Sequence, residues 1–267
     1  GESLHMVKNK PLLRSTPIKE KVSAKLILKM LEEAEEKNIM LNSIMIIRNG
    51  KVITEGYYKP YSECIERSMH SATKSFTATA IGLLIDEGRL KLEDTVMSFF
   101  PEYAPENPCD NLKKMNVWHL LTMTCGHDSV PPRKGTDNYV KQFLNHPVPY
   151  VPGTHFQYSS MASYMLTAII RKVTGQNMTR YLRTRIFEPL GIYDAYCDTC
   201  PMGIEYGGGG LFLRTEDLAK LAVLYLNNGI WNGVRLLSES WVKEFTKMQF
   251  RDSWSHSNPT LKPDWYC

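Results

Sequence analysis

Residues 23–37 repeat in the manner of a surface helix. Leu26, Ile27, Met30, Leu31 and Ala34 form an apolar stripe, and Glu32, Glu33, Glu35 and Glu36 form the wet face. Residues 42–48 are apolar and rich in isoleucine, and Asn49-Gly50 separates them from 51–58. Asn-Gly between two such runs predicts a two-residue turn and an antiparallel hairpin. Residues 60–68 then read as a connecting loop. From Ser71 to Glu87 the pattern changes: after Lys74 and Phe76 the chain is almost uncharged as far as Ile85. A helix apolar on most sides is buried on most sides, and Gly88 supplies a helix stop.

The remaining pattern is mostly helical. Residues 92–100 predict a short helix capped near Asp94 and stopped by Pro101, and 116–123 predict another. Residues 126–136 hold two prolines and two glycines and read as a loop. A short helix over 138–145 and an extended, proline-rich run over 147–153 follow. Residues 158–174 predict a strong helix with Met161, Tyr164, Met165, Ala168 and Ile169 apolar, closed by Gly175. Residues 177–186 predict an amphipathic helix ended by Pro189 and Gly191. Gly207 to Gly210 precede Leu211-Phe212-Leu213, a strand or extended turn. No Lys-Ser or Lys-Thr follows the glycines, so they are not a phosphate loop; a close-packed turn is the plain reading. A helix starting at Thr215 or Glu216 runs through Asn227, Asn232-Gly233 makes a turn, and 238–248 form a last helix. The tail from Arg251 is polar and turn-rich. No internal repeat is present.

Composition narrows the picture. The 267 residues are 43% hydrophobic and 22% charged, as in ordinary globular proteins, with a formal net charge of +4 that no segment concentrates. Nucleic acid is therefore not an implied partner. No run of about 18 apolar residues predicts a membrane span, and no signal peptide is visible. Gly1 to Met6 resemble an expression scar. Of Cys64, Cys109, Cys125, Cys197, Cys200 and Cys267, only Cys197 and Cys200 have a ligand-like spacing, and no second pair or nearby histidines complete a zinc site. They read as structural or free thiols.

The candidate chemistry begins at His70-Ser71-Ala72-Thr73-Lys74. Positions three apart on a helix share a face, so Ser71 and Lys74 can point into one cleft. A serine hydroxyl needs a base to become a nucleophile. A lysine amine serves only in its neutral form, which burial and neighbouring positive charge favour. The helix start also offers backbone N–H groups and a positive dipole end for a developing oxyanion. On their own, Ser71 is equally a helix cap and Lys74 a solvated first-turn residue. The second candidate is Tyr158, followed by Ser159 and Ser160 at the start of the 158–174 helix. A phenol beside Lys74 can hold a proton between Ser71 and a leaving group; alone it is also a buried aromatic with one hydrogen bond.

Six stretches in order resemble the serine β-lactamase and penicillin-binding-protein superfamily, in its class C β-lactamase-like branch of peptidases, β-lactamases, esterases and amide hydrolases. They are the hairpin from Ile44 to Tyr57; His70 to Thr77; Gly88-Arg89-Leu90-Lys91-Leu92-Glu93-Asp94; Trp118-His119-Leu120-Leu121-Thr122; Pro152-Gly153-Thr154 before Tyr158-Ser159-Ser160; and Gly209-Gly210-Leu211 before Glu216-Asp217-Leu218-Ala219. The resemblance implies an α+β fold of the β-lactamase/transpeptidase type, with an antiparallel sheet flanked by helices and a mainly helical domain. It implies a helix and hairpin of the α/β region in 7–68, a helical region in 69–235, and a helix returning to the α/β region with a polar tail in 236–267. It implies Ser71 as the acylated nucleophile, Lys74 and Tyr158 sharing base and acid work, the Ser71 N–H as one oxyanion donor, and no metal or organic cofactor. It also suggests a periplasmic or extracellular protein acting on a small-molecule or peptide-like acyl substrate.

Two departures matter. Ser160 stands where the family's second motif often ends in asparagine, and offers the substrate a shorter hydroxyl in place of a carboxamide. The third motif, a lysine or histidine followed by threonine or serine and glycine, has no clear counterpart; His256-Ser257-Asn258 is the nearest string and lacks the glycine. A lone hairpin is marginal, so the expectation is an incomplete sheet, the chain being truncated or completed by strands of a partner chain. The leading functional reading is an acyl-serine hydrolase of amides, lactams or esters. The alternative is an idle relative that binds a peptide, cell-wall fragment or protein in the same cleft.

Overall fold

Asn49 and Gly50 adopt φ of 52° and 74°, the left-handed pair that a tight type I′ hairpin turn requires. The computed structural model describes residues 11–250. Gly1 to Met6, the His256 string and Cys267 lie outside them. In chain order the main elements are helix α1 (Ala24–Glu36), strands β1 (Ser43–Arg48) and β2 (Lys51–Tyr57), and helices α2 (Thr73–Asp86), α3 (Val117–Thr122), α4 (Ser160–Thr174), α5 (Thr215–Leu226) and α6 (Glu239–Thr246). The fold is α+β, with no sheet of more than three strands among the described residues. The chain divides into two compact units. Among the described residues one takes 11–67 with Thr184–Ala195 and Phe212–Leu236; the other takes Ser68–Arg183, Tyr196–Leu211 and 237–250.

In the first unit β1 and β2 pair antiparallel from Ser43↔Tyr57 to Arg48↔Lys51, with one irregularity between Ile46 and Ile47. Residues 13–15 run beside β2, with Ser15 N–H donating to Val52 O and Val52 N–H to Leu13 O. Leu12, Val52 and Val223 make a small core, against which Met45, Ile47, Ala219 and Trp231 pack. Glu216 on α5 accepts from the Leu12 N–H and from Arg14. Helix α1 has no buried residue, although its stripe is strongly amphipathic.

The second unit is helical and carries the larger core. In α4 every residue from Met161 to Ile170 is buried, and α2 is buried over most of its length, as its uncharged run predicts. The two helices pack on each other, α3 packs on α4, and α6 packs on α2. Gly82 marks the α2–α6 approach: a Cβ there would lie 2.2 Å from the Trp241 ring, so only glycine admits the indole.

Local reading and structure differ at three places. Ser71 lies in a 3-10 turn, His70–Ala72, and the α-helix proper starts at Thr73. The helix expected over 92–100 shrinks to Val96–Phe99, because the Asp94 carboxylate accepts the Lys91 N–H and caps a turn instead. The helix expected over 177–186 is α-helical for Met178–Leu182 and widens to a π turn over Arg183–Phe187.

Candidate active site

The first turn before α2 is held on both sides. Met69 donates its N–H to Leu211 O at 2.8 Å. His70 has φ 44°, a left-handed conformation that costs energy for a residue with a Cβ. Ser71 follows this kink, and Lys74 sits three residues on, one turn along the same face.

The opposite face of α2 explains the glycine run. Thr77 Oγ1 donates to Gly207 O at 2.9 Å, and Thr73 Oγ1 accepts the Leu211 N–H at 3.1 Å. These bonds draw the 207–211 segment onto the helix. A Cβ on Gly207 would lie 2.3 Å from Thr167 Cγ2, and one on Gly208 would lie 2.4 Å from Ser160 O. The run is thus a close-packed turn, and its packing brings the Gly208 carbonyl to Lys74.

Helix α4 supplies the other two side chains. Ser159 is its N-cap and accepts the Ala162 N–H at 3.2 Å, satisfying one of the free donors of a helix start. That cap leaves Tyr158 just before the helix and Ser160 as its first residue. The Tyr158 hydroxyl lies 2.7 Å from Ser71 Oγ. Lys74 Nζ donates to Ser71 Oγ at 3.1 Å, to Ser160 Oγ at 3.1 Å and to Gly208 O at 2.5 Å. An ammonium has three donors and no acceptor, and here each donor has an oxygen. Nζ also lies 5.0 Å from the centre of the Tyr158 ring, so its charge faces the phenol. Ser160 uses its hydroxyl twice, meeting the Tyr206 phenol as well. Burial pushes the Tyr206 phenol up, opposed by the Arg133 guanidinium lying 4.7 Å over its ring.

A cleft of about 440 Å³ opens at Ser71, Lys74 and Tyr158, within the range of small-molecule sites. Its walls are mainly apolar and include Leu92, Trp118, Leu121, Phe156, Trp241 and Phe245. Trp118 is placed by the α3 cap, in which Asn116 Oδ1 accepts the His119 N–H and His119 Nδ1 accepts the Asn116 N–H, both at 3.0 Å. Burial pushes the His119 imidazole down, which keeps Nδ1 available as an acceptor.

All four residues singled out from the sequence, Ser71, Lys74, Tyr158 and Ser160, thus meet in one cluster. Other participants were not read from the sequence. The Gly208 carbonyl is backbone, and only the need of four successive glycines for close approach pointed to it. Tyr206, which meets Ser160, and the cleft-wall residues of α6 are brought in by long-range packing that leaves no local signal. Cys200 Sγ contacts the Tyr164 hydroxyl at 3.2 Å, and burial pushes the Cys197 thiol up. Among the described residues no group of three or more His, Cys, Asp or Glu is arranged to hold a metal ion, and no helix is long and apolar enough to cross a membrane.

The family model described as Beta-lactamase matches residues 36–264. The 6-aminohexanoate-dimer hydrolase of Paenarthrobacter ureafaciens is 26% identical over 221 residues, covering 76% of this chain and 56% of that protein. Protein flp of Staphylococcus aureus strain COL is 32% identical over 164 residues, covering 55% of this chain and 33% of that protein. The octameric penicillin-binding protein homologue from Pyrococcus abyssi shares the fold, with a TM-score of 0.67 and 23% identity over 86% of this chain and 61% of that one. The chain therefore spans between a third and just over half the length of these curated relatives.

Proposed function

This chain belongs to the beta-lactamase family, whose members are serine hydrolases, and on that premise we propose that it forms an acyl-serine intermediate at Ser71 with an amide, lactam or ester. The observation that carries the reading is the contact of Ser71 Oγ with both Tyr158 OH, at 2.7 Å, and Lys74 Nζ, at 3.1 Å. Hydrolysis as the reaction class is supported by the relative named a 6-aminohexanoate-dimer hydrolase.

Ser71 Oγ attacks the carbonyl carbon. The reacting form pairs a Tyr158 phenolate with a Lys74 ammonium, and the Ser71 proton passes to the phenolate oxygen, which lies nearer to Oγ, at 2.7 Å, than Nζ does, at 3.1 Å. The ammonium stabilises negative charge on the phenol oxygen electrostatically. Tyr158 then returns the proton to the leaving group. The Ser71 backbone N–H, at the start of the turn, supplies one donor to the tetrahedral oxyanion. Water enters by the reverse route, with Tyr158 taking its proton and handing it to Ser71 Oγ as the acyl group departs. Ser160 keeps Lys74 in line.

Steady-state kinetics with a p-nitrophenyl ester and a chromogenic penicillin tests the assignment. Ser71→Ala abolishes turnover. Lys74→Ala lowers kcat/KM by about 10²–10⁴-fold, the usual contribution of positioned proton-transfer machinery. A Lys74→Ala variant at the parent rate would contradict the mechanism. A folded parent chain without turnover on either substrate would favour a binding role for the same cleft.

A further inference from the structure

We propose that the cleft beside Ser71 selects substrates by their acyl half and takes an apolar acyl chain. The proposal rests on the acyl-serine reading above and narrows its substrate. The cleft leaves Ser71 and Lys74 along one face of α2, past Ser75 and Ala78, positions that recur at helical spacing. Across from them stand Trp241 and Phe245 of α6. Trp241 is 5% exposed and is locked by its approach to Gly82, so this wall is preformed.

The polar groups of Trp118, Gln249 and Glu244, which also line the cleft, bond to one another. Trp118 Nε1 donates to Gln249 Oε1 at 3.1 Å, Gln249 Nε2 donates to Glu244 O at 2.5 Å, and the Glu244 carboxylate pairs with Lys247 at 2.6 Å. A polar or charged acyl group entering here would lose water and find its possible partners engaged, which is unfavourable. An alkyl chain loses nothing and gains burial.

The proton route decides which half of the substrate enters. Tyr158 protonates the leaving group, so the leaving atom lies on the Tyr158 side of the tetrahedral carbon. The acyl substituent takes the remaining direction along α2. For an ester, the Ser71 Oγ–carbon bond forms, the carbon–alkoxide bond breaks, and the serine proton departs with the alcohol through Tyr158. Water then adds to the acyl carbon, the Oγ–carbon bond breaks, and a proton from water returns to Ser71 as the carboxylic acid leaves.

The test is a series of p-nitrophenyl acetate, butanoate and hexanoate on the full chain, with the leaving group held constant. We expect kcat/KM to rise by up to about fourfold per added methylene until the cleft is filled, from the transfer free energy of a buried CH₂. Ala78→Phe, which fills the cleft along α2, should lower the hexanoate-to-acetate ratio by about tenfold or more on the same scale. Phe245→Ala, an independent variant on the opposite wall, should move the optimum to a longer chain. A flat or falling series, with Ser71 acylated in each case by intact mass, would overturn the proposal and leave the hydrolase reading standing. Ratios unmoved in both variants, each folded by circular dichroism, would overturn it too. No acylation by any ester would remove the reading and the proposal together.

Discussion

Lys74 and Ser160 show how little the site spends on specialised side chains. A hydroxyl one atom from the backbone serves because α4 begins at Ser160, so the helix start itself sets the distance to Nζ. Removing that hydroxyl leaves an ammonium with one acceptor fewer. Hydrogen bonds to charged groups are worth about 1.5–3 kcal/mol, so Ser160→Ala should lower kcat/KM by about 10- to 100-fold. Ser160→Thr, which keeps the oxygen, should recover part of it. Kinetics on the two variants checks this; equal losses would mean that packing rather than the oxygen matters. Ser71, Lys74 and Tyr158 were legible in the sequence because each is a local signal, a spacing of three and a tyrosine at a helix start, whereas Ser160 was singled out only by its place in the second motif of the family that the chain resembles. The three-residue spacing said nothing of the 3-10 turn, because a one-residue shift of a helix start leaves Ser71 and Lys74 on the same face.

At the scale of elements, the glycine turn has the most consequence. Thr73 and Thr77 point away from the cleft, yet they hold the segment whose Gly208 carbonyl fixes Lys74. Gly208→Ala would force a Cβ to within 2.4 Å of the Ser160 carbonyl. The segment must then shift, at a cost of about 1–3 kcal/mol, typical of overpacking. Thermal unfolding should report that loss, and kcat should fall with it as the carbonyl leaves Nζ. A variant of parent stability and rate would show that the turn does not position the lysine. Periodicity located α1, α2, α4, α5 and α6 to within two residues at each end, because each carries an apolar stripe or an apolar run between a cap and a stop. It overextended 92–100, where Asp94 closes a turn, and 177–186, where the chain widens before Pro189. Periodicity carries no information on such capping choices, nor on the α2–α6 contact that builds the cleft wall.

For the whole molecule, buried ionisable groups set the response to acid. His127 is 1% exposed, and neither ring nitrogen has a hydrogen-bond partner among the described residues. Burial, with a smaller push from His146 and an opposing pull from Asp128, lowers its pKa from 6.5 to about 4. The folded state therefore holds the neutral ring while the unfolded chain protonates. The contribution of His127 is complete above pH 6.5 and is lost as pH falls towards 4, on the order of 3 kcal/mol. Glu20 acts lower: hydrogen bonds from Asn49, Lys51 and Ser15 hold it at about 2, so its contribution is lost between pH 4.5 and 2. Melting temperature measured against pH should fall first in the 6.5–4 window. His127→Leu should flatten that window alone; an unchanged slope would contradict the assignment.

Every role assigned in the site depends on acylation of Ser71. The most direct measurement is intact mass of the full chain after incubation with p-nitrophenyl acetate and, separately, a penicillin, with the modified peptide located by fragmentation. One acyl adduct on Ser71 is expected, absent from Ser71→Ala and strongly slowed in Tyr158→Phe. An unmodified mass with both reagents, or an adduct that persists in Ser71→Ala, would contradict it.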